Sequence, residues 1–247
     1  MTVVKALAVT GFFLNLAAAP VSVAGPAYER VVDAARASAV IADDIIEAVK
    51  SSCQTALCFA EALAAERPDH VRLEPVDHPD TDSIRWVSTR PSVIVEETPG
   101  KLRLEFTHFG RKALPELRAA LASAKDAQSI AIDVSGNAGG DFERMLSIAG
   151  LLLGSVRDAV EIDHGDHIER HALQGCATGK WQVASVETDN KTASAALLLA
   201  RLLAVHGGAE LIGPPFEEKP IFLKRRIPID HDWRLVLPVA VVKIAEP

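Results

Sequence analysis

Cysteine is scarce in this chain, three in 247 residues, and aromatic residues make up only 5% of it. Cys53 and Cys58 lie close together and Cys176 stands alone, so no zinc-site spacing is present. Basic residues are outnumbered, 26 against 33 acidic ones, and the net charge is −7. With Lys and Arg scattered as well, nucleic acid is excluded as a partner. The glycines match neither the dinucleotide fingerprint nor a P-loop, and no cofactor is implied. Neither an internal repeat nor a low-complexity tract occurs.

Long apolar runs are missing too. Ala6–Ala19 comes nearest, but Asn15 and Pro20 leave too little to span a bilayer. With Lys5 before it and Ser22-Val23-Ala24 after it, residues 1–24 read as a secretory signal. Its removal takes away Lys5 and leaves about −8, the net −7 less one positive charge. The expected location is therefore outside the cytoplasm, periplasmic or secreted, with no membrane span after processing. No cysteine follows the apolar stretch, which argues against a lipoprotein. In an oxidising compartment Cys53 and Cys58 are either a disulfide or a pair of buried thiols. A bridge would require a break in the helix near Gln54–Ala56.

What the chain does contain is 49% hydrophobic residues, enough for one substantial core with a small annex. Residues 27–66 read as helical, without Gly or Pro, and Arg67–Ser83 as a polar linker. Ser92–Glu97 and Lys101–Thr107 alternate like strands around a Pro99-Gly100 turn. A helix follows through Leu114, Leu117, Leu121 and Ala124, with Pro115 in its first turn. Ser129–Val134 is a short strand, SGNAGG a turn, and Phe142–Leu152 a helix closed by Gly154. Val160–Asp163 and Ile168–Leu173 suggest a hairpin, Trp181–Glu187 and Glu210–Ile212 further strands, and Arg234–Lys243 a buried strand. This alternation predicts an α/β fold with helices packed on a largely parallel sheet, plus an N-terminal helical segment. The expected layout is a signal at 1–24, the helical segment at 25–66, a linker at 67–85 and the main domain at 86–247.

Two turns carry the chemistry. In DVSGNAGG (Asp133–Gly140), glycines between strand and helix let backbone N–H groups approach a bound oxygen, either a phosphate or the oxyanion of acyl transfer. A turn for packing alone is the duller reading. At Ser194, small neighbours Ala193, Ala195 and Ala196 precede an almost wholly apolar helix with one charge, Arg201. A serine there is either a helix cap or a nucleophile. Lys219, 25 positions later, supplies the second possibility with a partner, provided that its surroundings keep the amine uncharged. Three other features are weaker. His164, His167 and His171 read as a solvated loop rather than a metal site, with 167 and 171 on one face of a hairpin and 164 opposed. His206 sits near the end of the Ser194 helix, within reach of the site or complementing the helix dipole. Lys224-Arg225-Arg226 reads as a solvated strand end.

Residues Lys101–Phe222 resemble the C-terminal processing peptidases, or tail-specific proteases. IDVSGNAGG (Ile132–Gly140) is similar to that family's D-L-R-G-N-P-G-G motif, TASAAL (Thr192–Leu197) to its S-A-S-A-S-E turn, and Lys219 falls at the family's serine-to-lysine interval. The resemblance implies a ClpP/crotonase-like core and a serine peptidase acting on peptides or protein tails. It implies Ser194 as nucleophile, Lys219 as general base, and Gly139, Gly140 and Ala195 as the oxyanion hole, with no metal. Ser135, Ala138, Leu197, Val205 and Leu223 depart from the family's pattern, and Glu217 precedes the lysine on the side it should share. No PDZ domain fits before Trp86. The alternative is a member that keeps the pocket but binds peptides or a partner protein without cleaving them.

Overall fold

The computed structural model describes residues 25–68, 70–76, 91–175, 181–215 and 219–245. Pro26, whose fixed φ suits a first helical turn, opens α1 (Pro26–Arg36). Then come α2 (Asp43–Ser52) and α3 (Ala56–Glu66). The expected single helical stretch is thus three helices. Ser38 marks the first break, where its hydroxyl donates to the Pro238 carbonyl. The second falls where a bridge demands it: Cys53 is extended, Cys53 and Cys58 are disulfide-bonded, and Thr55 caps α3 by accepting from Cys58 N. The buried Tyr28 hydroxyl donates to the Cys53 carbonyl at 3.0 Å and ties α1 to that corner.

One sheet carries the two turns of interest. It contains β2 (Val93–Thr98), β3 (Lys101–Phe106), β4 (Ser129–Asp133), β7 (Gln182–Glu187) and β8 (Glu210–Ile212), in the order β2-β3-β4-β7-β8. Its strands run parallel from β3 to β8, and only β2, joined to β3 by the tight Pro99–Gly100 turn, is antiparallel. The helices α4 (Ala113–Ser123), α5 (Phe142–Leu153) and α6 (Ala195–Gly207) follow β3, β4 and β7. In α6, Ala195–Ala200, Leu202 and Leu203 are all buried, as a helix apolar on every side must be. Gly208 ends it in the left-handed conformation, φ 66°, which glycine adopts without a Cβ penalty.

The second sheet is antiparallel throughout, so the expectation of a largely parallel sheet holds for only one of the two sheets. It contains β1 (Arg72–Pro75), β5 (Val156–Asp163), β6 (Ile168–Leu173), β9 (Ile221–Pro228) and β10 (Trp233–Ile244). The hairpins β5–β6 and β9–β10 have connections too short for a parallel crossover, and this sets the direction. β9 runs along one side of β10, while β1 and β5 share the other. Two apolar clusters result. One lies among α4, α5, α6 and the strands they cover; in the other, α1–α3 pack on Val71, Ile227, Leu235, Leu237 and Val239. Among the described residues no helix is long and apolar enough to cross a membrane.

Candidate active site

Parallel pairing of β4 with β7 brings the chain's two special turns to the same edge of the sheet. Arg103, midway along β3, bonds Asp133 and Glu187 there, each at 2.6 Å, and so ties the ends of β4 and β7 to β3. The Glu187 contact is the main reason that the guanidinium is held further towards its charged form.

Beyond Asp133 the chain turns through Val134–Gly140. Asn137, only 1% exposed, organises this turn: Nδ2 donates to the Phe106 carbonyl at 2.9 Å, and Oδ1 accepts from Gly139 N at 2.8 Å. Gly139, at φ 108°, lies so close to the serine turn that an added Cβ would stand 2.8 Å from Ser194 Cβ and 3.0 Å from Ala195 N. No other residue fits there.

Asp189 organises the second turn. Its Oδ1 accepts from Gly136 N at 2.9 Å, Lys191 N at 3.0 Å and Thr192 N at 2.9 Å. These bonds, that from Gly136 foremost, hold the carboxyl below its ordinary range. The buried Thr192 hydroxyl donates to the Val134 carbonyl at 3.0 Å, and Ala193 N to the Asn137 carbonyl at 3.1 Å. The glycine turn and the serine turn are therefore one hydrogen-bonded unit.

Ser194 follows at φ 52°, ψ −128°. A non-glycine residue in such a region costs about 1–3 kcal/mol and persists only where its surroundings impose it. The serine does not cap α6: its side chain makes no capping bond, and the residue is exposed. Among the described residues Oγ has no hydrogen-bond partner, and the N–H groups of Gly140 and Ala195 have no acceptor. The Gly139 N–H, by contrast, is engaged by Asn137.

Lys219, half-buried before β9, reaches this unit. Nζ donates to the Thr192 carbonyl at 2.8 Å, two residues ahead of Ser194, and the lysine's own carbonyl accepts from Arg201 Nη2 at 3.0 Å. The structure thus gathers Ser194, Lys219, Gly139, Gly140 and Ala195 at one place, with the amine on a backbone carbonyl rather than on the hydroxyl. Sequence reading missed Asn137, Asp189, Thr192 and Arg201. The one available signal was Arg201, a lone charge in an apolar helix.

The other candidates lie elsewhere. His206 is in the last turn of α6, 12 residues and therefore about 18 Å along the axis from Ser194. Glu217 and Cys176 fall outside the described residues. Lys224–Arg226 lies within β9, not at its end; Arg226 pairs with Glu74 at 3.3 Å, while burial and the nearby Arg72 lower the Lys224 pKa. On the β5–β6 hairpin the expected opposition of His164 is not found. Directly paired residues share a face, so Val160 with His171 and Ile162 with Glu169 bring His164 and His171 to the same side.

The model of peptidase family S41 matches residues 102–244. No curated protein matches the sequence. Among solved structures, a photosystem II D1 C-terminal processing protease superposes with a TM-score of 0.50 at 15% identity, covering 71% of this chain and 44% of that one. This chain therefore spans less than half of that protease's length. A candidate peptidase from Parabacteroides merdae gives 0.55 at 12% identity, covering 89% of this chain and 83% of that one. A lipoprotein from Streptococcus agalactiae gives 0.55 at 14%, with 90% and 79% covered. At such identities the likeness is one of fold.

Proposed function

The chain belongs to peptidase family S41, and on that premise we propose a serine-type peptidase that cleaves peptides or protein tails through Ser194 and Lys219. One observation carries this reading. Ser194 is held at positive φ, uncapped and exposed, with the Lys219 amine fixed two residues away on the Thr192 carbonyl. In the mechanism, uncharged Lys219 leaves that carbonyl and takes the proton from Ser194 Oγ. The alkoxide attacks the peptide carbonyl. The Gly140 and Ala195 N–H groups hold the oxyanion, and Gly139 provides the bare backbone that lets them converge. Protonated Lys219 returns its proton to the leaving amine, and water then releases the acyl-enzyme.

The parallel sheet with its covering helices supports a ClpP/crotonase-like core, short and without a PDZ domain among the described residues. The layout we propose is a signal at 1–24, a helical segment at 25–66, a connecting segment at 67–85 that carries β1, and the peptidase domain at 86–247. The edge of β8 away from β7, unpaired among the described residues, suits an extended peptide added as a further strand. The signal-like N-terminus and the Cys53–Cys58 bridge support export to a periplasmic or external, oxidising space.

A second reading, a peptide-binding member without hydrolysis, is favoured by Leu197, Val205 and Leu223 and by the amine's bond to Thr192 rather than to the hydroxyl. A fluorophosphonate probe separates the two. The peptidase should be labelled at Ser194, and Lys219→Ala should lower the labelling rate at least a hundredfold. An unlabelled wild-type chain that binds unstructured peptides equally well after Ser194→Ala would overturn hydrolysis in favour of binding.

A further inference from the structure

We propose that Arg72, Lys224, Arg226 and Arg234 form a binding site for a phosphoryl oxyanion, free or carried on a lipid headgroup, on the face of the second sheet turned away from α1–α3. The pairing register brings them together. Arg72, Val236 and Arg226 stand side by side across β1, β10 and β9. Glu74, Arg234 and Pro228 form the next row on that face, and Lys224, opposite Pro238, begins the row on the other side. Directly paired residues share a face, as do residues two apart on one strand. The alternate positions Ile227, Leu235 and Leu237 belong to the apolar cluster under α1–α3. Strands about 4.8 Å apart, rising about 3.4 Å per residue, confine the four cations to roughly 10 Å by 14 Å.

One carboxylate serves all three arginines. Glu74 Oε1 accepts from Arg72 Nε at 2.8 Å and Nη2 at 2.6 Å, and Oε2 accepts from Arg226 Nε at 3.3 Å and Arg234 Nε at 3.0 Å. Arg226 and Arg234 thus spend only Nε on it. Among the described residues their Nη groups have no acceptor, and neither does Lys224 Nζ. Four cations less one carboxylate leave an excess of three positive charges, in a chain whose net charge is −7. The excess is felt locally: burial first, then the neighbouring Arg72, pushes the Lys224 pKa down, against the opposing pull of Glu74.

The geometry selects the anion. Glu74 is the sheltered member, its side chain 18% exposed, whereas those of Arg72 and Arg226 are 55% and 60% exposed. The carboxylate therefore orders the guanidiniums without occupying their outer nitrogens. Because the Nε atoms of Arg226 and Arg234 bond the same oxygen, their two forks are kept side by side, within reach of one compact group. A guanidinium fork matches phosphate oxygens in pairs. A phosphoryl group brings at least three oxygens to the two forks and a carboxylate only two, which favours it over an acidic peptide. Asp230 and Asp232 lie beyond Pro228 on the β9–β10 turn; Asp230 Oδ1 accepts from Asp232 N and Trp233 N, and Asp232 pairs with His231 at 3.1 Å. Arg225 pairs with Leu237 and so belongs to the opposite face, which makes it the control.

The test has two arms, both on the full chain at low ionic strength, where exposed charges are least screened. One is calorimetric titration with inorganic pyrophosphate; the other is cosedimentation with phosphatidylcholine vesicles, with and without phosphatidylglycerol. The expected result is saturable binding in at least one arm, about tenfold weaker in each of Arg226→Gln and Arg234→Gln and within about twofold of wild type in Arg225→Gln. Pyrophosphate binding alone assigns a free ligand, and vesicle binding that pyrophosphate displaces assigns a headgroup. Circular dichroism establishes that each variant is folded, and Lys224→Gln keeps the test decisive if one arginine variant is not. Absence of binding in both arms would overturn the proposal. So would an equal loss in Arg225→Gln, or tighter binding of polyglutamate than of either phosphoryl probe. None of these outcomes depends on Ser194, so the site stands or falls apart from the peptidase reading.

Discussion

Replacing Asn137 with alanine probes the joint between the two turns more sharply than any change at Ser194 itself. The side chain is buried and makes two hydrogen bonds, to the Phe106 carbonyl at 2.9 Å and from Gly139 N at 2.8 Å. Alanine leaves both backbone partners unpaired. Each buried unsatisfied group costs about 1–3 kcal/mol, and the Gly139 N–H, closest to the exposed serine, should lie at the low end, so the sum is roughly 2–4 kcal/mol. For a chain of this size each kcal/mol moves the melting temperature by about 2–4 °C, which gives a fall of roughly 4–16 °C. Thermal unfolding followed by circular dichroism measures it. The fluorophosphonate labelling rate should fall as well, because the Gly139 backbone that packs against Ser194 loses its anchor. Asn137→Asp sharpens the comparison, since it keeps an acceptor for Gly139 but turns an oxygen towards the Phe106 carbonyl. It too should destabilise. A melting temperature within 2 °C of wild type for the alanine variant would refute the view that this amide holds the site together.

Two further outcomes follow from the same bonds and from the helical annex. The Asp189 carboxyl is depressed below its ordinary value of 3.8, chiefly by the Gly136 N–H, so its contribution is present above that value and lost as pH falls through the lower folded one. Stability should therefore drop more steeply below about pH 4 in wild type than in Asp189→Asn, and equal slopes in acid unfolding curves would contradict the assignment. Reducing the Cys53–Cys58 bridge, which closes a loop of few residues, should cost about 2 kcal/mol by loop entropy. A reductant should lower the melting temperature of wild type and leave a Cys53→Ser, Cys58→Ser chain unchanged; equal response of the two would remove the bridge from the stability account.

Local pattern carried much of the fold. The alternation at Lys101–Phe106, the Pro99–Gly100 turn and the apolar run of α6 each act within one segment and were legible there. What escaped depends on partners distant in the chain. Arg72–Pro75 looks like linker because it carries charge and a proline, yet the long β10 offers it an edge and makes it a strand. The break at Ser38 has neither glycine nor proline to announce it; it is fixed by the Pro238 carbonyl 200 positions away. The histidine hairpin was misjudged by counting parity along the chain rather than across the antiparallel pair. At the site, glycines and small residues revealed the turns, whereas Asn137 and Asp189 act on backbone atoms 31 and 53 positions away, which spacing cannot disclose.

That division also says where the chemistry is decided. The glycine turn and the serine turn leave adjacent parallel strands and are bonded to each other three times over, through Gly136–Asp189, Thr192–Val134 and Ala193–Asn137. Geometry of this kind is imposed by the sheet, and it offsets the strain at Ser194 without help from the annex. The lysine stands differently. It arrives between β8 and β9, where the chain passes from one sheet to the other, and among the described residues its hydrogen bonds are two, Arg201 on its carbonyl and Thr192 on its amine. On the proposed reading, nucleophile and oxyanion donors are built into the parallel sheet, while the base is delivered by a loop. On that reading, movement of Nζ from the Thr192 carbonyl to the Ser194 hydroxyl is what separates a peptidase from a binding protein. Substitutions that alter that movement should change turnover while leaving the melting temperature nearly untouched, the reverse of what Asn137 should do.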